Sequence, residues 1–550
     1  MSHKKRMDVW VYIGIVVLAL YLLFMLYPMI RLLLSSVVSD EGNFTMGYFR
    51  QFFSKNYYVD TISNSLLIST AATFFSLLLG IPFAYFYNLY DMKGKAFLQV
   101  IAILCSMSPP FIGAYSWIQL FGRSGIVTKF VRSVFGIAMP SIYGFWGCTL
   151  VISFQLFPLV FLYMSGALKN IDNSLLEASS NLGVSKFKQV FKIILPLCMP
   201  TILAAALMVF MRAFADFGTP LLIAEGFQTL PVLIYKSYVG ETTVNHGFAA
   251  AVSAIAILLT AIFFLVQKAA ANRFSFTINA LHPIERKKTR SKWTGALMHI
   301  FCYGMVLFAF LPQAFVVYQS FRNTSGKLFT SGYSLKSYRD VIAKMGRAIP
   351  NTLIVGILAL VVVLVIATLI SYMVVRRRGT LSNTIDVLSM VPYIIPGSVI
   401  GIALVISFNG KPLALTGTVA IMVIALVIRR IPYTIRSSVA ILQQIPLSME
   451  EAAISLGSSK LKAFTNITIP MMANGILSGA ILSWVTIITE LSTSIILYTT
   501  STTTMTLAIY TYVTRGNDGL ASAMAAILVY MTTGSLLLFT RFSKNKELAF

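Results

Sequence analysis

The sequence predicts an all-α polytopic membrane protein of about twelve transmembrane helices arranged as two tandem six-helix repeats. Three observations carry that reading. Of 550 residues, 57% are hydrophobic and only 11% charged, against about a quarter charged in soluble domains. Residues 61–90, 96–122, 352–375, 387–410 and 519–540 are uncharged runs, each long enough for the ~20 residues that a helical span needs. The runs are continuous rather than alternating, which selects helices over a barrel. Finally, the second half of the chain echoes the first.

Apolar runs and their punctuation place the spans near 9–34, 61–89, 96–121, 141–166, 197–220, 248–270, 293–320, 350–375, 381–407, 416–440, 471–499 and 519–540. The first, preceded by basic residues 1–6, is too long for a signal-peptide core and is read as a retained span. Twelve spans put both termini on one side. With that side in the cytoplasm, its loops hold the larger share of the Lys and Arg, as the positive-inside rule requires. Much of the net charge of +25 then lies on that surface, with Arg286, Lys287, Lys288, Arg290 and Lys292 in one cluster and Arg376 to Arg378 in another. Splitting the charge among short loops argues against a nucleic-acid partner and for a lipid bilayer. Cys105, Cys148, Cys198 and Cys302 have neither disulfide nor metal spacing and are read as packing residues.

The halves align with Asn64 on Asn351, an offset of 287, and with Pro110 on Pro396, an offset of 286. Later the offset falls to 274, because the outer loop 123–140 has a shorter counterpart near 410–415; loops absorb such changes cheaply. Six spans per half give both copies the same orientation. The expected domains are 1–271 and 293–550, joined by the basic cytoplasmic linker 272–292.

Between the fourth and fifth spans of each half a short pattern recurs. Glu177-Ala-Ser-Ser-Asn-Leu-Gly183 is followed thirteen residues later by Pro196, and Glu451-Ala-Ala-Ile-Ser-Leu-Gly457 thirteen residues later by Pro470. Ser174 with Glu177 and Ser448 with Glu451 have capping-box spacing, so a helix is expected to start at each. Gly183 and Gly457 should end those helices in the left-handed conformation. An amphipathic segment with Val184, Phe187, Val190 and Ile194 on one face should follow, closed by the proline ahead of the next span. The product is a helix-turn-helix elbow in 174–196 and again in 448–470.

This pattern resembles the EAA loop of binding-protein-dependent ABC importer permeases of the MetI-like type. Glu177, Ala178, Gly183, Ile193, Leu195 and Pro196 match its consensus, with Ser179 for an alanine. Glu451, Ala452, Ala453, Gly457, Ile467 and Pro470 match in the second half, with Ile469 for a leucine. The likeness covers nearly the whole chain. It implies a permease subunit in a bacterial inner membrane, with both termini cytoplasmic, working by alternating access. It also implies that each elbow docks in one of two copies of an ABC ATPase subunit, which binds ATP and Mg. An extracytoplasmic solute-binding protein would deliver the cargo. Consistently, no phosphate-cradling loop is present: the pairs Gly94-Lys95, Gly326-Lys327 and Gly410-Lys411 precede Ala96, Leu328 and Pro412 rather than a hydroxyl. His3, His246, His282 and His299 are scattered, and no acid-base or nucleophile arrangement marks an enzyme or a resident cofactor.

Candidate pathway residues follow from charge inside spans. Asp216 and Glu490 share the 274 offset, and Arg212 stands one helical turn before Asp216; one reading is an ion pair that holds the bundle. For Arg429 and Arg430 three readings are open: an aqueous cavity for an anionic solute, a pair with Asp216 or Glu490, or a place nearer the cytoplasmic edge. Ser108-Pro-Pro-Phe, containing Pro110, and Val391-Pro-Tyr-Ile-Ile-Pro-Gly, containing Pro396, should break the third spans, either lining a transport site or forming a packing kink. Phe214-Ala-Asp-Phe-Gly-Thr-Pro and Arg430-Ile-Pro-Tyr look like the ferric-iron group of these permeases. Related fused permeases handle thiamine, phosphonates or sugar phosphates. An ion-coupled secondary transporter or a channel is the rival class; neither requires paired elbows.

Overall fold

The computed structural model describes residues 9–39, 41–107, 109–240, 245–273 and 291–542. The basic amino terminus, Ser108 and nearly all of the 272–292 linker with its basic cluster lie outside the described residues. Nine described helices are long and apolar enough to cross a membrane, and two broken pairs bring the number to eleven. The remaining expected span is the helix Val419–Leu442, which carries Arg429, Arg430 and Arg436. Ala348–Arg376 and His246–Arg273 fall where the apolar runs place them. Both third spans break at proline: Lys95–Met107 gives way to Pro110–Phe121, and Thr380–Ile394 meets Gly397–Phe408 at 111°. Proline donates no N–H and forces the residue before it out of the helical region.

Two expected spans end earlier than their apolar runs. The helices that begin at Lys186 and Lys460 stop at Phe214 and Ile488, before Asp216 and Glu490. Hydrophobicity continues past both points, so composition alone overran the ends. The loop 123–140 also holds a helix, Ile126–Phe135. A hairpin, Arg322–Ser325 with Leu328–Tyr333, turns at Gly326, whose φ is 61°.

The chain packs as two compact units. One comprises Phe52–Leu233 and Ile255–Gln319. In it, Asn56–Leu89 lies close against Phe145–Lys169. A methyl added at Gly80 would stand 2.8 Å from the Phe157 carbonyl oxygen, so only glycine permits the approach. Ser76 donates to the Ser153 carbonyl at 3.3 Å across the same seam. Phe83, Phe157 and Phe161 form the core, which Cys302 and Val306 of Lys292–Ser320 complete. Gln313 of that helix donates to the Leu104 carbonyl at 3.4 Å, one of the last-turn acceptors left over where the third span breaks.

The other unit comprises Met1–Gln51, Ile234–Ala254 and Ser320–Phe550. Its helix Val9–Ser35 sets Trp10 against Tyr372, with ring centroids 4.3 Å apart, and against Phe464 at 4.9 Å. Val419–Leu442 packs against Ile469–Ile488 through Gly479, where an added methyl would stand 2.6 Å from the Thr434 Cα. Compactness thus groups residues differently from sequence repetition, because the first helix of each half packs with the core of the other. All four cysteines are buried.

Candidate functional site: two elbows and two acid-bearing breaks

The first elbow starts two residues before its expected cap. Asp172 is the N-cap of Asn173–Asn181, accepting from the Ser174 N–H at 2.9 Å, and Asn173 Nδ2 donates to Glu177 Oε1 at 2.7 Å. The Ser174 capping box does not form, because the aspartate two residues earlier takes the free amide first. Nor does the Ser448 box in the second elbow. There the Met449 and Glu450 amides already bond to Pro446 and Leu447, so Ser448 lies inside the first turn.

Both helices end as the glycines require. Gly183 and Gly457 have φ of 76° and 94°, and the next amides, of Val184 and Ser458, return to the Ser179 and Ala453 carbonyls at 3.0 Å. Ser185 and Ser459 then cap the following helices, accepting from Lys188 and Lys462. These helices do not stop at proline as expected. Through π-helical turns at Val190–Ile194 and Phe464–Thr468 they run on into the fifth spans, giving 29-residue helices from Lys186 to Phe214 and from Lys460 to Ile488. Pro196 and Pro470 lack the N–H that an α-helical ladder needs there, and the ladder shifts register instead of breaking.

Outward-facing side chains are unusually apolar. Leu182 and Leu456, equivalent by the 274 offset, are 84% and 89% exposed, and Phe187 is 73% exposed. Phe187 therefore leaves the inward face expected for it, and Gln189 occupies the inside. Its Nε2 lies within hydrogen-bonding distance of the Ser179 and Ser180 hydroxyls, at 2.8 and 2.7 Å, and of the Leu176 carbonyl at 3.1 Å. Ala463 holds the aligned place in the second half. Glu177, Ala178, Glu451 and Ala452 are exposed, as are Pro196 and Pro470. The second elbow is tied down by Glu450, one residue before the aligned glutamate. It accepts from Tyr372 Oη and Arg376 Nε, both at 2.9 Å.

At the far ends of the fifth spans each unit builds an acid-bearing break. In the first, Asp216 lies two residues beyond Phe214, where the helical register that would stack it on Arg212 has ended. Its Oδ1 accepts from the Gly218 N–H at 3.1 Å, at the start of the short helix Gly218–Ile223. Phe111, beside Pro110, backs this turn: a methyl on Gly218 would stand 3.2 Å from the Phe111 nitrogen.

The second break is more elaborate. Glu490 Oε1 accepts from Arg429 Nη1, from Ser492 Oγ at 2.6 Å and from the Thr493 N–H at 3.1 Å, while Oε2 accepts from Arg430 Nη2. Arg429 Nη1 also reaches Ser492 Oγ at 3.0 Å and Thr493 Oγ1 at 2.9 Å. Thr506 Oγ1 donates to the Glu490 carbonyl at 2.8 Å. The arginine side chains are 12% exposed and the glutamate 4%. Of the three readings for Arg429 and Arg430, pairing with Glu490 is the arrangement observed. Gly397, next to Pro396, abuts the cluster, where an added methyl would strike Ser492 Oγ, Arg429 Nη1 and Thr493 Oγ1. In each unit the proline break of the third span therefore meets the acid-bearing break. The first half sets Gln155 and Leu156 where the second has Arg429 and Arg430. Among the described residues no group of three or more His, Cys, Asp or Glu stands close enough to hold a metal ion.

Comparison with known proteins adds the following. The sequence model for the binding-protein-dependent transport system inner membrane component matches residues 76–276 and 365–546. The ferric transport system permease protein FbpB of Actinobacillus pleuropneumoniae is 28% identical over 531 residues, covering 95% of this chain and 77% of the relative. A putative 2-aminoethylphosphonate transport system permease protein, PhnU of Salmonella typhi, is 26% identical over 260 residues, covering 46% of this chain and 89% of its own. Among solved structures, a bacterial ABC transporter involved in the import of the acidic polysaccharide alginate superimposes with a TM-score of 0.41 at 17% identity, over 48% of this chain and 96% of that one.

Proposed function

The chain belongs to the binding-protein-dependent transport system inner membrane components, which it matches in both halves, and from that premise we propose that it is the permease subunit of an ATP-driven importer of ferric iron. The elbows carry the reading. Each is a rigid, glycine-ended turn with exposed leucine and phenylalanine or methionine side chains, fused without interruption to a membrane-spanning helix. A push on such an elbow travels along the helix to the break at Asp216 or Glu490, where the third span is also broken. Two elbows call for two copies of an ATPase subunit, which supplies ATP and Mg chemistry while this chain supplies the path. The family's dependence on a binding protein supplies the other partner, an extracytoplasmic protein that hands over the cargo. The expected setting is a bacterial inner membrane with elbows and termini in the cytoplasm. Glu177, Ala178, Gly183 and Pro196, with Glu451, Ala452, Gly457 and Pro470, are the coupling residues. Asp216, Glu490, Arg212, Arg429, Arg430, Pro110 and Pro396 surround the moving breaks.

Ferric iron is favoured by the FbpB relative, which covers 95% of this chain. A phosphonate is the second reading, favoured by the two guanidinium groups at Glu490 and by the shorter relative. Uptake of radiolabelled ferric iron and of a labelled phosphonate, each presented on the cognate binding protein, separates them. The double variant Glu177→Lys/Gly183→Asp tests the coupling. ATP-driven uptake should vanish while membrane insertion persists, and unimpaired uptake would refute the role given to the elbow.

A further inference from the structure

The segment that lengthens the first half relative to the second contains an element the transport reading does not use. Ile126–Phe135 has no buried residue among its ten. At 100° per residue, Ile126, Val127, Phe130, Val131, Val134 and Phe135 fill one half of its circumference, and Thr128, Lys129, Arg132 and Ser133 the other. It is a built helix rather than a loose loop. The Lys129 amide bonds to Gly125 at its start, and Gly136, with φ of 67°, ends it by bonding back to Arg132. Arg123, which precedes it, pairs with Glu225 at 2.6 Å and lies 4.9 Å from the Tyr143 ring centroid.

We propose that Ile126–Phe135 is an interfacial helix, with its apolar half in the bilayer boundary and Lys129 and Arg132 on anionic lipid headgroups. Two further observations name lipid as the occupant. The helix follows the apolar helix Pro110–Phe121 after four residues and precedes the span Phe145–Lys169, whose Trp146, 68% exposed, is the residue type that settles at headgroup level. From Arg123 to Tyr143 the sequence holds three cations and no acid, the charge an anionic surface attracts. Neither a fully aqueous nor a fully hydrocarbon position satisfies both halves of this helix.

The test uses the full chain in nanodiscs, with single cysteines placed in turn at 126 to 135. Because the four native thiols are buried, a spin label reports the introduced site. Oxygen collisions should exceed nickel-chelate collisions severalfold at positions 127, 130, 131 and 134, with the opposite at 128, 129, 132 and 133. Labels should sit deeper when phosphatidylglycerol joins phosphatidylcholine, and Lys129→Glu/Arg132→Glu should remove that difference. Should a label at an apolar position block folding, quenching by lipid brominated high on its acyl chains gives the same reading, stronger for Phe130→Trp than for Ser133→Trp. Uniform aqueous access, or shielding of the apolar positions only after an extracytoplasmic binding protein is added, would overturn the proposal. Equal depth in the two lipids would overturn the role of the two cations.

Discussion

Replacing Glu490 by glutamine removes the carboxylate that Arg429 and Arg430 share, while leaving an amide of the same size to accept hydrogen bonds. Two guanidinium groups, each 12% exposed, would then face each other across a neutral side chain. Removing one partner of a buried ion pair costs about 3–5 kcal/mol. Arg429→Gln, by contrast, leaves one cation on one anion and supplies the residue that the first half carries at Gln155. Its cost is the charge-assisted bonds of Arg429, about 1–3 kcal/mol. The sign of the comparison is the content: Glu490→Gln must destabilise more than Arg429→Gln, although the arginine is the larger side chain. Equilibrium unfolding in mixed micelles reads both differences, and the double variant gives their coupling, for which contacting residues show roughly 0.5–3 kcal/mol. A Glu490→Gln protein as stable as the parent, or less perturbed than Arg429→Gln, would refute the assignment of that carboxylate as the cluster's counter-charge.

Three other perturbations follow from the same geometry. Gly457→Ala meets no neighbour within 4 Å, so its cost is purely the left-handed backbone, about 1–2 kcal/mol; amide exchange across 448–458 should quicken and ATP-driven uptake should fall. Gln189→Ala removes the clasp inside the first elbow at about 1 kcal/mol per hydrogen bond, and exchange should rise in 173–185 but not in the second elbow, which already has Ala463. Gly397→Ala drives a methyl into Ser492 and Thr493, an overpacking of about 1–3 kcal/mol; uptake should drop, whereas Gly410→Ala, where nothing stands within 4 Å, should leave it unchanged.

The spans were legible because length and hydropathy are local properties, and the third-span breaks because proline acts on its own backbone. Where helices end inside apolar sequence was not legible: Asp216 and Glu490 follow Phe214 and Ile488 closely, but Leu221 to Ile223 and Ile495 to Leu497 then resume the apolar run. The elbows were legible in their glycines but neither in their prolines nor in their fastenings. That Glu450 rather than Glu451 is buried depends on Tyr372 and Arg376, more than seventy residues away. The clasp of Gln189 is equally tertiary, and a polar residue between Lys188 and Val190 gives no local sign of pointing inward. Pro196 reads as a stop because an α-helical ladder cannot pass it; the π turn that carries the helix through is a change of hydrogen-bond register with no composition of its own. At the Glu490 cluster, charge within apolar sequence singled out three residues that the fold brings together, but only the fold could choose among the three readings for the arginines.

The central claim is that an external nucleotide-driven motor works the path through this chain. Vesicles reconstituted with the chain, its ATPase subunits and a ferric-loaded binding protein should accumulate iron only when ATP is hydrolysed on the elbow side. Equal accumulation by the chain alone, without nucleotide or ATPase, would contradict the account.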